Sequence, residues 1–111
     1  MRISDLQRIA HQDSARNGWY DGPPRNPAEM LCLIHSEVSE TLEAIRKPGD
    51  DGEPLPSDKI EGFTAEEEEM ADVVIRVADY AEYRGLRLED AISAKLAANR
   101  KRGYKHGGKS F

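Results

Sequence analysis

The stretch LIHSEVSETLEAIR, residues 33–46, decides the fold. Leu33, Ile34, Val38, Thr41 and Ile45 recur at the three- and four-residue spacing of one helix face, and no Gly or Pro interrupts them before Pro48-Gly49. Within the stretch, Glu37 and Glu40 stand three residues apart and so share a face. A second stretch of the same character, EEMADVVIRVADYA at residues 68–81, carries Glu69 and Asp72 at the same spacing. Two such helices packed together would aim four carboxylates at one point. Four like charges repel one another unless a hard cation such as Mg²⁺ lies between them.

Working outward, the first of these helices opens at Asn26, a good N-cap, with Pro27 in the first helical position and Glu29 placed to complete a capping box. Met30 joins its apolar face. The second opens on the pair Thr64 and Glu67, carries Met70, Val73, Val74, Val77 and Ala81 as its core stripe, and stops at Gly85. Upstream, Ser4 to Asn17 reads as a helix with a Ser4–Gln7 capping box, Leu6, Ile9, Ala10 and Asp13 at helical spacing, and Gly18 as its stop. Downstream, Leu88 to Arg102 reads as a fourth, with Leu88, Ala91, Ile92 and Leu96 apolar and Gly103 ending it. The expectation is an all-α, four-helix bundle-like domain over residues 1–104, followed by a basic Gly- and Lys-rich tail at 105–111. The Pro-, Gly- and Asp-rich segment Lys47 to Phe63 is long for an unstructured loop. It reads either as a lid over the site or as a tolerated insertion.

Composition sets further bounds. The chain has 111 residues, 33% of them charged and 6% aromatic, and a net charge of −5. That suits one modest domain and argues against general nucleic-acid or membrane-surface binding. The charge is uneven: Glu61 to Asp72 holds six acids and no base, and Lys95 to Lys109 holds six bases and no acid. An acidic cluster and a basic segment in one small chain suit a metal plus phosphate site. Cys32 is the sole cysteine, so no disulfide forms within the chain and a reducing cytoplasm is the simplest compartment. Met1 to Ala10 carries no signal-peptide core, and no apolar run approaches the ~20 residues of a membrane span.

Glutamates on helices are commonly solvated. Glu66, Glu67 and Glu68 need nothing beyond that, because a helix's first turn favours negative charge. The two spaced pairs differ in position. Leu33, Glu37, Glu40 and Ala44 form a stripe beside the apolar stripe, and Asp72 lies between Met70, Val73 and Val74. Carboxylates at the margin of a core are costly unless paired or metal-bound. Without neighbouring Cys or His, they select Mg²⁺, Mn²⁺ or Ca²⁺ over zinc. His35 stands two residues before Glu37 and points elsewhere; His11 and His106 receive no role.

These residues resemble the signature of the all-α nucleoside triphosphate pyrophosphohydrolases, the MazG-like superfamily that includes dCTP pyrophosphatases and dimeric dUTPases. The signature is Glu-x-x-Glu, a variable spacer, then Glu-x-x-Asp, here Glu37 to Glu40 and Glu69 to Asp72. The spacer of 28 residues is near the long end for the family. KLAANRKRGY, Lys95 to Tyr104, is similar to the family's closing pattern of Lys, Asn, Arg and Tyr. PRNP at Pro24 to Pro27, preceded by Trp19, resembles the entry to the motif helix in the dCTP pyrophosphatase-like branch.

The resemblance implies a Mg²⁺-dependent enzyme, with Mn²⁺ a possible substitute, that hydrolyses a nucleoside triphosphate to the monophosphate and pyrophosphate. It implies Glu37, Glu40, Glu69 and Asp72 as metal ligands, with Glu40 the candidate to hold the attacking water as base instead. On the last helix, Lys95 is expected to contact phosphate, Asn99 metal-bound phosphate or ribose, and Arg102 to clamp phosphate; Lys105 and Lys109 are read as solvated. Trp19 and Tyr20 are candidates for stacking a base, and Asp13 is a weaker candidate for the site. The family pairs protomers, so a homodimer or homotetramer that completes the core is expected. A phosphoribosyl-ATP pyrophosphatase-like enzyme and a non-catalytic helical module with a structural cation remain as alternatives. Binding of nucleic acid through the basic tail ranks last, and the preferred base is left open.

Overall fold

The computed structural model describes residues 1–103. Tyr104, Lys105, His106, Lys109 and the rest of the basic tail lie outside the described residues. Four helices follow one another: α1 (Ile3–Arg16), α2 (Pro27–Arg46), α3 (Ala65–Tyr83) and α4 (Leu88–Arg102). Among the described residues the only strand-like pairing is an isolated bridge between Pro56 and Thr64. None of the helices is long and apolar enough to cross a membrane.

Local chemistry sets the helix ends. Asn26 Oδ1 accepts the Ala28 N–H at 2.9 Å, so the cap of α2 is as expected, although it closes on Ala28 and not through a reciprocal bond from Glu29. The α3 box forms in full: Thr64 Oγ1 accepts the Glu67 N–H at 3.1 Å, and Glu67 Oε1 accepts the Thr64 N–H at 3.0 Å. At the far end, Gly85 at φ +67° lets the Leu86 N–H reach Ala81 O at 2.8 Å, a left-handed cap open to glycine at little cost. The expected Ser4–Gln7 box is corrected. Helix α1 starts one residue earlier, with Asp5 accepting the Arg2 N–H at 3.0 Å. Ser4 and Gln7 are drawn into long-range bonds instead. The Ser4 N–H reaches Glu89 at 3.2 Å, and Gln7 Nε2 donates to Leu86 O at 3.0 Å.

Helix α3 lies at the centre, packed on α1 on one side and α2 on the other, while α4 leans on α1. Among the described residues, Ala10, Met30, Ala78 and Ala81 are the buried apolar ones, and no large side chain is fully buried. The expected apolar faces are therefore only partly those that face inward. On α2 the buried residues are Met30, Glu37 and Thr41, while Val38 and Ile45 are about half exposed. On α3, Met70 and Val74 are likewise half exposed, and Glu68 and Ala78 are buried. Nothing on α4 is buried; Ile92 and Leu96 face outward.

The segment between α2 and α3 holds backbone hydrogen bonds of its own and to the start of α3. Gly49 N–H bonds Glu53 O at 2.8 Å, Ser57 N–H bonds Phe63 O at 2.8 Å, and Ala65 N–H bonds Leu55 O at 2.8 Å. These bonds fold it into turns that end against the first turn of α3.

Candidate metal centre

Helices α2 and α3 pack with their acidic stripes facing each other. Glu37, Glu40 and Glu69 each offer a carboxylate oxygen within 4.8 Å of the others, and Glu68, Glu69 and Asp72 do the same. Glu69 belongs to both groups, so five carboxylates share one region. Sequence reasoning placed four of them and missed Glu68, which was read as a solvated first-turn residue. It is 8% exposed. The available signal was its position: one residue before Glu69 and four before Asp72, it borders the same helix face.

Two cations balance part of this charge. Arg76, one turn after Asp72, donates from Nε to Glu37 Oε1 at 2.7 Å. Lys59 Nζ, from the segment before α3, stands 3.6 Å from Glu68 Oε2. Ser57 Oγ donates to the other Glu68 oxygen at 2.6 Å. Glu69 Oε2 is buried with no hydrogen-bond partner. Burial first, and then the charge of Glu40, raises the Glu69 carboxyl above its ordinary value. Burial, followed by the charge of Glu37, does the same to Asp72. The Lys59 ammonium is held above its usual value, chiefly by Glu68. Part-buried carboxylates crowded together, one with an orphaned oxygen, form a donor set that fits a hard divalent cation.

Three of the five acids, Glu37, Glu40 and Asp72, line a cleft of about 400 Å³ between α1, α2 and α3, whose walls also include Trp19, Lys59 and Arg76. That volume lies within the range of small-molecule sites. Asp13 lines the α1 side. A larger groove of about 610 Å³ runs over Ile60, Phe63, Met70 and Val74, but none of the five acids reaches it. Trp19 is 49% exposed at the cleft, with the guanidinium carbons of Arg25 and Arg76 at 5.5 and 5.8 Å from its ring.

Tyr20 does not join Trp19 as a second stacking surface. Its hydroxyl donates to Asp79 Oδ1 at 2.6 Å, and its ring packs on His11 and Tyr83 with centroids 4.5 and 5.0 Å apart. Burial, reinforced by Asp79, pushes the Tyr20 phenol well above its ordinary value. His11, given no role from sequence, shares that carboxylate through Nδ1 at 3.0 Å. Asp79 thus pins the α1–α2 connector to α3 and holds Trp19 at the cleft. The placement of α4 departs most from expectation. Lys95, Asn99 and Arg102 are absent from the walls of the cleft, with Lys95 and Arg102 exposed and Asn99 Oδ1 buried without a partner.

Fold and site together define an all-α protein with a carboxylate-lined cleft. No protein-family model matches the chain, and neither a curated protein nor a solved structure shows similarity to it.

Proposed function

We propose that the protein is a Mg²⁺-dependent nucleoside triphosphate pyrophosphohydrolase of MazG-like type, working in the cytoplasm as a homo-oligomer. The observation that carries the reading is the meeting of five carboxylates, one with an orphaned oxygen, beside a cleft that Glu37, Glu40 and Asp72 line together with two cations and an exposed indole. Acids alone would repel a polyphosphate, and cations alone would need no acid cluster. The combination suits an anionic substrate that arrives with divalent cations.

In this reading Glu37, Glu40, Glu68, Glu69 and Asp72 are the residues that hold Mg²⁺, with Mn²⁺ a substitute. Bound Mg²⁺ supplies positive charge against the phosphate oxygens and acidifies water. Glu40, the most open of the two α2 acids, accepts the proton of the attacking water. The water oxygen bonds to the α-phosphorus, the bond from that phosphorus to the bridging oxygen breaks, and pyrophosphate leaves with the electron pair. Arg76 and Lys59 line the phosphate end, and Trp19 offers the base a flat face. Lys95, Asn99 and Arg102 enter only as contributions from a second copy. Support for such a copy lies in the half-exposed Val38, Leu42, Ile45, Met70 and Val74 and the unburied α4.

The test is a panel of canonical and modified triphosphates with Mg²⁺, products separated as monophosphate plus pyrophosphate or diphosphate plus phosphate. Wild type is expected to release pyrophosphate, and Glu40→Gln to lose at least 100-fold in kcat while keeping its melting temperature. No pyrophosphate from any triphosphate, with either Mg²⁺ or Mn²⁺ supplied, would remove the reading.

A further inference from the structure

Lys59 belongs to no helix and to no recognisable motif, yet it is the one cation that the segment between α2 and α3 brings to the acids. Its delivery is specific. Ser57 Oγ accepts the Lys59 N–H at 3.1 Å and the Ile60 N–H at 3.0 Å while donating to Glu68 Oε1 at 2.6 Å. The Ser57 N–H to Phe63 O bond and the Pro56–Thr64 bridge close the turn from below. One hydroxyl therefore ties the turn's backbone to the acid whose other oxygen faces the Lys59 ammonium at 3.6 Å. The lysine side chain remains 71% exposed and lines the same cleft as Trp19. It is a mobile charge on a fixed base.

We infer that Lys59 is a tethered counter-cation of the cleft: it neutralises Glu68 in the free protein and moves to the phosphate oxygens of an anionic substrate when a divalent cation takes the carboxylates. This rests on the reading of the cleft as a polyphosphate site. Lysine suits the exchange because its ammonium is a point charge on a four-carbon stem that can swing without moving the backbone. The fixed turn keeps that swing at the cleft, so the 57–63 turn contributes a substrate contact through Lys59.

The inference has a readout that needs no turnover. Removing the ammonium should favour a divalent cation over the empty cluster. Lys59→Met, which keeps the stem, is expected to bind Mn²⁺ about threefold or more tightly by electron paramagnetic resonance at low salt, without nucleotide. The same variant should bind a non-hydrolysable triphosphate, loaded with Ca²⁺, about tenfold more weakly. Lys59→Arg should restore most of the nucleotide affinity. Ser57→Ala, which frees the turn, should move both quantities in the direction of Lys59→Met. Unchanged Mn²⁺ and nucleotide affinities in Lys59→Met would overturn the inference and leave the enzymatic reading standing. Wild type that binds Mn²⁺, more tightly after Lys59→Met, but hydrolyses no triphosphate would remove the enzymatic reading and keep the ammonium's part as counter-cation. Mn²⁺ binding weakened by Lys59→Met would overturn it as well.

Discussion

Arg76 Nε and Glu37 Oε1 meet at 2.7 Å between α3 and α2, and Arg76 also lies 5.8 Å from the ring of Trp19. One guanidinium thus joins a buried candidate metal ligand to the exposed aromatic of the cleft. Arg76→Met would leave the Glu37 carboxylate, 8% exposed, without its partner. The expected loss is about 1–3 kcal/mol of stability in chelator, since an unpaired buried charge keeps its desolvation penalty. Excess Mg²⁺ should recover part of it by supplying the missing positive charge. Chemical denaturation with and without Mg²⁺ measures both, and an unchanged midpoint in chelator would contradict the account.

The raised carboxyls of Glu69 and Asp72 have a defined pH signature. A folded state that holds protons more tightly than the unfolded chain is most favoured, on account of these groups, below the ordinary carboxylate range. That contribution is lost as pH rises from the ordinary range through the raised folded values. Glu69→Gln should therefore raise the melting temperature in chelator at pH 7, flatten the slope between about pH 4 and 7, and abolish stabilisation by Mg²⁺. Melts across pH in chelator check the sign. A less stable Glu69→Gln at pH 7 would show that the carboxylate is not held against repulsion.

Asp79 accepts hydrogen bonds from both Tyr20 and, through its ring nitrogen, His11, and so anchors the connector that carries Trp19. Tyr20→Phe removes one bond and is expected to cost about 1 kcal/mol. Because Trp19 is the only tryptophan, its fluorescence reports the cleft directly. Lower anisotropy and a red-shifted emission are expected in Tyr20→Phe. Unaltered emission would mean that the connector is held elsewhere.

Val38 and Leu42, four residues apart on one side of α2, lie half exposed, while Glu37 and Thr41 are buried. An oligomer that covers this side should dissociate when Leu42→Glu or Val38→Glu places charge in the interface. Sedimentation velocity is expected to show wild type above the mass of one chain and Leu42→Glu at that mass. A monomeric wild type would sink the prediction.

Much of this protein was legible in its sequence. Caps such as Asn26 and Thr64, the stop at Gly85, and the spacings Glu37–Glu40 and Glu69–Asp72 act over three or four residues, the range within which a helix start, stop or face is decided. They determined four helices and two acidic faces. Tertiary packing decided the rest, because the helical period says which residues share a face but not which face turns inward. Glu37 went into the core and Val38 and Ile45 did not. Gln7 left its helix start for Leu86, and Glu68, expected to be solvated in the first turn, was buried beside Glu69 and Asp72. Arg76 meets Glu37 across 39 residues, Ser57, which holds the Lys59 turn, meets Glu68 across 11, and Asp79 meets Tyr20 across 59, separations at which no local periodicity operates. The acid pairs could be read from the chain; their cations, their fifth member and the aromatic wall depended on how three helices and one turn came together.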